Sequence, residues 1–177
     1  MNLQPTLSND SILAILLQEE HFEELYSVAS DPLIWEQHPN PDRYKREVFR
    51  NYFDHAIISK GALLILDNIK KKIIGCSRYY DFNSDESSIL IGYTFFAREY
   101  WGGNYNYATK YLMLNHAFGS VEKVFFHIGK NNIRSQKSIE RIGAKKVREL
   151  DVAYAGEQVK TNYEYLIEKE IWNKSKI

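Results

Sequence analysis

Few side chains here have the chemistry to move a proton. The five histidines, at 21, 38, 55, 116 and 127, are the groups whose ordinary pKa suits proton transfer near neutrality. Their spacings match no zinc site, so no metal is expected. His127 lies in the apolar run Val124-Phe125-Phe126-His127-Ile128, where a histidine serves either as a general base or as a hydrogen-bonded core residue. Asp151 and Glu86 are alternative carboxylate bases. The lone Cys76 forbids an internal disulfide, agrees with a reducing cytoplasm and reads as a small packed residue. A second chemical feature belongs to the backbone. In Tyr100-Trp101-Gly102-Gly103-Asn104-Tyr105-Asn106, glycine lets the chain approach a ligand closely or turn through positive φ. A helix starting there would aim unpaired N–H groups and its dipole at a phosphate. A tight strand-to-helix turn accounts for the same residues without a ligand. The dinucleotide fingerprint and the Walker loop fit worse, for lack of a third spaced glycine and of Gly-Lys-Ser/Thr.

The elements around this corner can be read from their periods. Ser88 to Phe96 is β-branched and aromatic with both faces apolar, which predicts a strand in the middle of a sheet. Tyr107, Tyr111, Leu114 and Phe118, widened by Ala108 and Leu112, predict the buried stripe of the helix that follows. Upstream, Ser11–Gln18 predicts a strand. A helix then buries Phe22, Leu25, Tyr26 and Ala29, and another turns Tyr44, Val48, Tyr52 and Phe53 inward. Ala62–Leu66 and Lys72–Phe82 form a hairpin, with Tyr79 and Tyr80 on opposite faces. Downstream come the His127 strand and a helix capped by Asn131 or Asn132, with Ser135, Ile139 and Ile142 inward. A closing hairpin, Lys145–Tyr154 and Thr161–Trp172 around Ala155-Gly156-Glu157, precedes fraying residues 173–177. The Phe95 and Phe126 strands, joined through a crossing helix, should lie parallel.

Two phrases together resemble the GNAT superfamily of acetyl-CoA-dependent N-acyltransferases. Tyr100-Trp101-Gly102-Gly103-Asn104-Tyr105-Asn106 is similar to its helix-entrance motif, in the form found in ribosomal-protein N-terminal (RimJ/RimL-type) enzymes. Asn132-Ile133-Arg134-Ser135 through Ile142-Gly143-Ala144 resembles its second motif. The resemblance implies one α/β (α+β by some schemes) GNAT domain over 1–177. It implies a mixed sheet of about seven strands with a splayed parallel pair, and about four helices. Acetyl-CoA would lie with its pyrophosphate on Trp101, Gly102, Gly103, Asn104, Tyr105 and Asn106. Its pantetheine arm would bond to Phe95, Phe96 and Ala97 in the splay, with Asn132 and Ser135 beside it. Ser135 would act near the sulfur. Trp35, His38, Tyr79 and Tyr80 would wall the acceptor, a small-molecule amine or a protein N-terminus. Two departures stand out. Leu90 occupies the place where related enzymes carry a glutamate base, and Ile139 the place of the usual tyrosine acid. A non-catalytic acyl-CoA-binding protein and a plain α/β interaction domain are therefore the alternatives.

Composition sets the outer limits. A chain of 177 residues, 44% hydrophobic and 14% aromatic, can bury one substantial core. Zero net charge argues against nucleic-acid binding, and no apolar run or leader pattern predicts a membrane span or secretion. Residues 98–146 hold nine Lys/Arg against three acids, which leaves fourteen basic and twenty acidic residues elsewhere. That asymmetry suits a polyanionic cofactor beside a cationic acceptor. A homodimer is compatible with all of this.

Overall fold

The computed structural model describes residues 1–154 and 157–174. Eight strands form one sheet: β1 Leu7–Ser8, β2 Ile12–Leu16, β3 Ala62–Asp67, β4 Lys72–Asn83, β5 Ser88–Phe96, β6 Lys123–Gly129, β7 Lys145–Val152 and β8 Lys160–Glu168. Their spatial order is β1-β2-β3-β4-β5-β6-β8-β7, so β5 is central and the last hairpin adds β8 before β7. The α-helices are α1 Phe22–Ala29, α2 Arg46–Ile58, α3 Tyr105–Ala117, α4 Ile133–Glu140 and α5 Lys169–Lys174. No helix among the described residues is long and apolar enough to cross a membrane.

A strand apolar on both faces needs a helical layer on each side, and β5 has both. On one face Ile89, Ile91 and Phe96 pack with Met113, Leu114 and Ala117 of α3 and Ile139 of α4. On the other, Phe95 joins Phe22 and Leu25 of α1 and Phe49, Tyr52 and Phe53 of α2. The β3–β4 turn is fixed by Asp67, whose Oδ1 accepts from the Ile69 and Lys70 amides at 2.9 and 3.1 Å.

Strands β5 and β6 are the parallel pair, and they pair only at their beginnings. Ser88 faces Lys123, Ile89 faces Val124 and Leu90 faces Phe125; the ladder then stops. Residues 91–96 of β5 thus run on without a partner on the β6 side. Over the same stretch β5 is distorted. Its register against β4 shifts between Cys76 and Arg78, and Tyr93 takes φ 53°. The Tyr52 hydroxyl donates to the Tyr93 carbonyl at 2.8 Å and holds the bulge in place.

The mixed α/β sheet with its splayed parallel pair is as expected, with eight strands and five α-helices against about seven and about four. Several finer expectations change. Strand β8 ends at Glu168, and Trp172 belongs to α5. The buried face of α3 is Thr109, Lys110, Met113, Leu114 and Ala117, while Tyr107 is 48% exposed. Helix α2 buries Phe49 and Ala56 with Tyr52 and Phe53, in place of Tyr44 and Val48. Of the closing turn, Ala155 and Gly156 lie outside the described residues, as do 175–177 of the expected fraying end.

Candidate functional site

A cavity of about 440 Å³ occupies the opening between β5 and β6. Its lining comes from both sides of the sheet. Phe96, Lys110, Phe126 and Ile139 belong to the α3/α4 face, Ile34, Trp35 and Phe95 to the other. The α1–α2 loop covers one end. Pro39 lies so close to Gly129 at the tip of β6 that a Cβ there would meet its ring at 2.5 Å.

Beside the cavity the glycine corner is open. Gly102 has φ +75°, and a Cβ placed on it would meet nothing within 4 Å; one on Gly103 would meet nothing nearer than 3.7 Å. Helix α3 starts after Asn104 with no side-chain cap, so its first-turn N–H groups keep no side-chain acceptor. Asn106 donates to Ser138 Oγ at 2.7 Å and ties α3 to α4, while its buried Oδ1 has no partner among the described residues. Tyr105 turns away from the corner: its hydroxyl and that of Tyr100 donate to Asp67 Oδ2 at 3.3 and 3.2 Å.

The family profile for an acetyltransferase (GNAT) domain matches residues 12–145. The chain belongs to the GNAT acetyltransferases. Solved structures agree on the fold. A GCN5-related N-acetyltransferase from Brucella melitensis superposes with TM-score 0.80 at 15% identity, over 96% of this chain and 81% of that one. A GNAT-family acetyltransferase from Bacillus anthracis gives 0.76 at 16%, over 94% and 99%. Mycobacterium smegmatis RimJ, in complex with CoA-disulfide, gives 0.71 at 12%, over 90% and 82%. No curated protein matches the sequence.

The GNAT donor, acetyl-CoA, needs a diphosphate cradle and a slot for a narrow arm. The bared corner and the gap beyond Leu90 have those shapes. Trp101, Gly102, Gly103, Asn106, Asn132 and Ser135 all line the cavity. Asn132 caps α4 by accepting from the Ser135 amide at 3.1 Å. Two of the backbone groups expected for the arm have internal partners. The Ala97 N–H donates to Ile74 at 2.8 Å, and the Phe96 carbonyl accepts from the Trp101 indole at 3.0 Å. The unpaired edge upstream of them, residues 91–95, is the freer part of β5.

The expected acceptor wall is brought together in part. Trp35, His38 and Tyr80 line the cavity. Trp35 is also an anchor, donating its indole N–H to Ala29 at 2.8 Å. Tyr79 is not there: it is fully buried under α3 and donates to the Met113 carbonyl at 2.7 Å. Asp151 is exposed on the outer strand β7 and accepts from Thr161 at 2.9 Å, away from the cavity lining. Unforeseen members are Arg43, Tyr93 and Tyr154. Burial raises all three tyrosines, Tyr80, Tyr93 and Tyr154, so the wall presents neutral phenols.

Arg43 is 2% exposed, and its guanidinium lies 4.9 Å from the Tyr52 ring centroid. It donates through Nε and Nη2 to Glu157 Oε1 at 3.0 and 2.6 Å, and through Nη1 to His38 Nε2 at 3.2 Å. Nε2 meets the Arg43 donor with its lone pair, and Nδ1 lies against the Asn40 backbone, 3.0 Å from its N–H and 3.2 Å from its carbonyl. Burial, helped by the Arg43 charge, holds the His38 pKa well below 6.5. His38 is thus a fixed neutral imidazole, with both nitrogens engaged. The stability that this confers is present above pH 6.5 and is lost as pH falls from there towards the lower folded pKa. Urea unfolding between about pH 7.5 and 5.5 should show that loss in the wild type and a smaller one in His38→Gln.

His127 lines the cavity from β6, with Nε2 3.1 Å from Glu164 Oε1 on the facing strand β8. Burial works to raise Glu164, but hydrogen bonds from Arg148 and His127 outweigh it and hold the carboxylate below its ordinary value. An ionised Glu164 keeps the proton of His127 on Nε2 and leaves Nδ1 as the basic nitrogen. Burial lifts Cys76 to about 11, so it remains a packed thiol.

Proposed function

We propose that this chain transfers the acetyl group of acetyl-CoA to a primary amine, on a small molecule or a protein amino terminus. The observation that carries this is the early end of the β5–β6 ladder, with a cavity entering the opening beside an uncapped glycine corner. When bound, acetyl-CoA supplies an acyl carbon activated as a thioester. Backbone amides of the corner from Gly102 to Asn104 and of Tyr105 and Asn106 at the start of α3 hold the diphosphate. The open edge of β5 offers backbone N–H groups to the arm and to the acyl oxygen. His127 Nδ1, oriented through Glu164, takes a proton from the acceptor ammonium so that a neutral amine reaches the acyl carbon. Trp35, Tyr80, Tyr93 and Tyr154 form an aromatic wall that excludes water and positions the acceptor. Ser135, one turn into α4, places a small hydroxyl on the cavity surface.

Leu90 and Ile139, at the places of the usual carboxylate and tyrosine, support a second reading in which the protein binds acyl-CoA without turnover. Thermal shift with CoA, followed by thiol release from acetyl-CoA across a panel of amines, separates the two. Stabilisation by CoA with amine-dependent thiol release is expected. Stabilisation without release on any amine favours the second reading, and no stabilisation removes both.

A further inference from the structure

Lys110 is 3% exposed, on the second turn of α3. Its Nζ donates to Thr94 Oγ1 at 2.6 Å and Ser77 Oγ at 3.3 Å, and these hydroxyls bond each other at 2.8 Å. The Phe126 ring centroid lies 5.8 Å away. The surrounding groups are therefore two hydroxyls from β4 and β5 and an aromatic face from β6. Among the described residues, the titratable group that acts on it is the buried Cys76 thiol of β4. A cation here has lost its water without gaining an anion, an arrangement that an apolar side chain of equal length would relieve. Lys110 also lines the cavity, between the distorted part of β5 and Phe126, where the two strands have parted.

We infer that Lys110 is the proton donor to the sulfur that leaves the acyl carbon, an inference that rests on reading the cavity as an acetyl-CoA site. It supplies at α3 what Ile139 cannot supply from α4. Lys110 gives one Nζ proton to sulfur as the carbon–sulfur bond breaks and its electron pair passes to sulfur. The acceptor nitrogen forms its bond to the same carbon and loses two protons in all: His127 passes the first to water before the attack and takes the second as the amide forms. Water returns a proton to Lys110 once the thiol has departed. Burial lowers the Lys110 pKa from 10.5 to about 7. An ammonium of that acidity protonates a thiolate, whose thiol has a pKa of about 8.5, without a thermodynamic penalty. Thr94 and Ser77 hold the amine in place while one N–H remains free for sulfur.

The test compares wild type, Lys110→Met and Lys110→Arg in two readouts. In the first, CoA is bound to each protein and its thiolate ultraviolet absorbance is followed against pH. Thiolate should appear at lower pH on Lys110→Arg than on Lys110→Met, because a permanent neighbouring cation favours it, whereas on wild type the amine has lost its proton by about pH 7, before the thiol ionises. In the second, kcat should fall roughly 100-fold in Lys110→Met with little change in KM for acetyl-CoA. Lys110→Arg should not restore it, since a guanidinium keeps its proton. Wild-type kcat should carry a component that declines as pH rises through about 7, absent from Lys110→Met. Wild-type turnover in Lys110→Met, or a thiolate titration on Lys110→Arg no lower than on Lys110→Met, would overturn the inference and leave the acetyl-CoA reading standing. Failure of wild type to bind CoA would remove that reading itself. Acetylation of Lys110 found by peptide mass spectrometry would also overturn it, because an amide nitrogen has no proton to give.

Discussion

Glu157→Ala should lower the unfolding free energy by about 3 kcal/mol, which for a chain of this length is roughly 6–12 °C in Tm. The reason is asymmetry. Arg43 has 2% of its side chain exposed and Glu157 11%, so removing the carboxylate leaves a guanidinium enclosed by Trp35, Tyr52 and Tyr93 with no anion. His38 offers a lone pair but no charge. Removing both charges is different in kind. Arg43→Met with Glu157→Leu replaces the pair by apolar groups of similar length, and most of the loss should return. Urea denaturation of the two single variants and the double variant gives the coupling directly. A double variant no more stable than Glu157→Ala would show that the pair is not what holds this end of the cavity. The ion pair joins the α1–α2 loop to the β7–β8 connection across 114 positions of sequence. Glu157→Ala should therefore raise KM for the amine while leaving CoA affinity unchanged.

That link could not be read from the chain, because nothing in a sequence pairs one arginine in a loop with one glutamate in a distant turn. What could be read was periodic or local. The apolar alternation of Ser88 to Phe96 placed β5 in the middle of the sheet, and the break at Gly102-Gly103 placed the start of α3. Asn132 was readable as a cap because capping depends on a residue and its own helix. Failures came where two periods fit equally well. In α3 the stripe through Tyr107 and Tyr111 is more hydrophobic than the one through Lys110 and Met113, yet the second faces the sheet. A polar residue on a stripe spaced i, i+3, i+4 was the available signal, and it marked the cavity. Tyr79 and Tyr80 do lie on opposite faces of β4, the first against α3 and the second beside Tyr93, as the strand period requires. Both faces are apolar, so the sequence did not say which one lines the cavity. Strand β8 read through into α5 because Leu166, Ile167, Ile171 and Trp172 are apolar at spacings that suit either element.

Gly103→Asp should weaken CoA binding by about three orders of magnitude while leaving the fold intact. Gly103 is not among the residues with positive φ, and a Cβ there has no neighbour nearer than 3.7 Å, so the side chain enters free space. That space is where the α3 amides would meet a diphosphate. Two like charges 4 Å apart at an effective dielectric of about 20 repel by about 4 kcal/mol, or roughly a thousandfold in Kd. Gly103→Asn fills the same volume without the charge and should lose far less. Gly102→Ala is the complementary case: its left-handed backbone costs a non-glycine residue about 1 kcal/mol of stability, with a smaller effect on binding. Titration calorimetry with CoA, paired with thermal unfolding of each variant without ligand, separates the two effects. An aspartate at 103 that bound CoA as tightly as glycine would mean that the diphosphate does not lie on the α3 amides. The open corner would then be a strand-to-helix turn and nothing more.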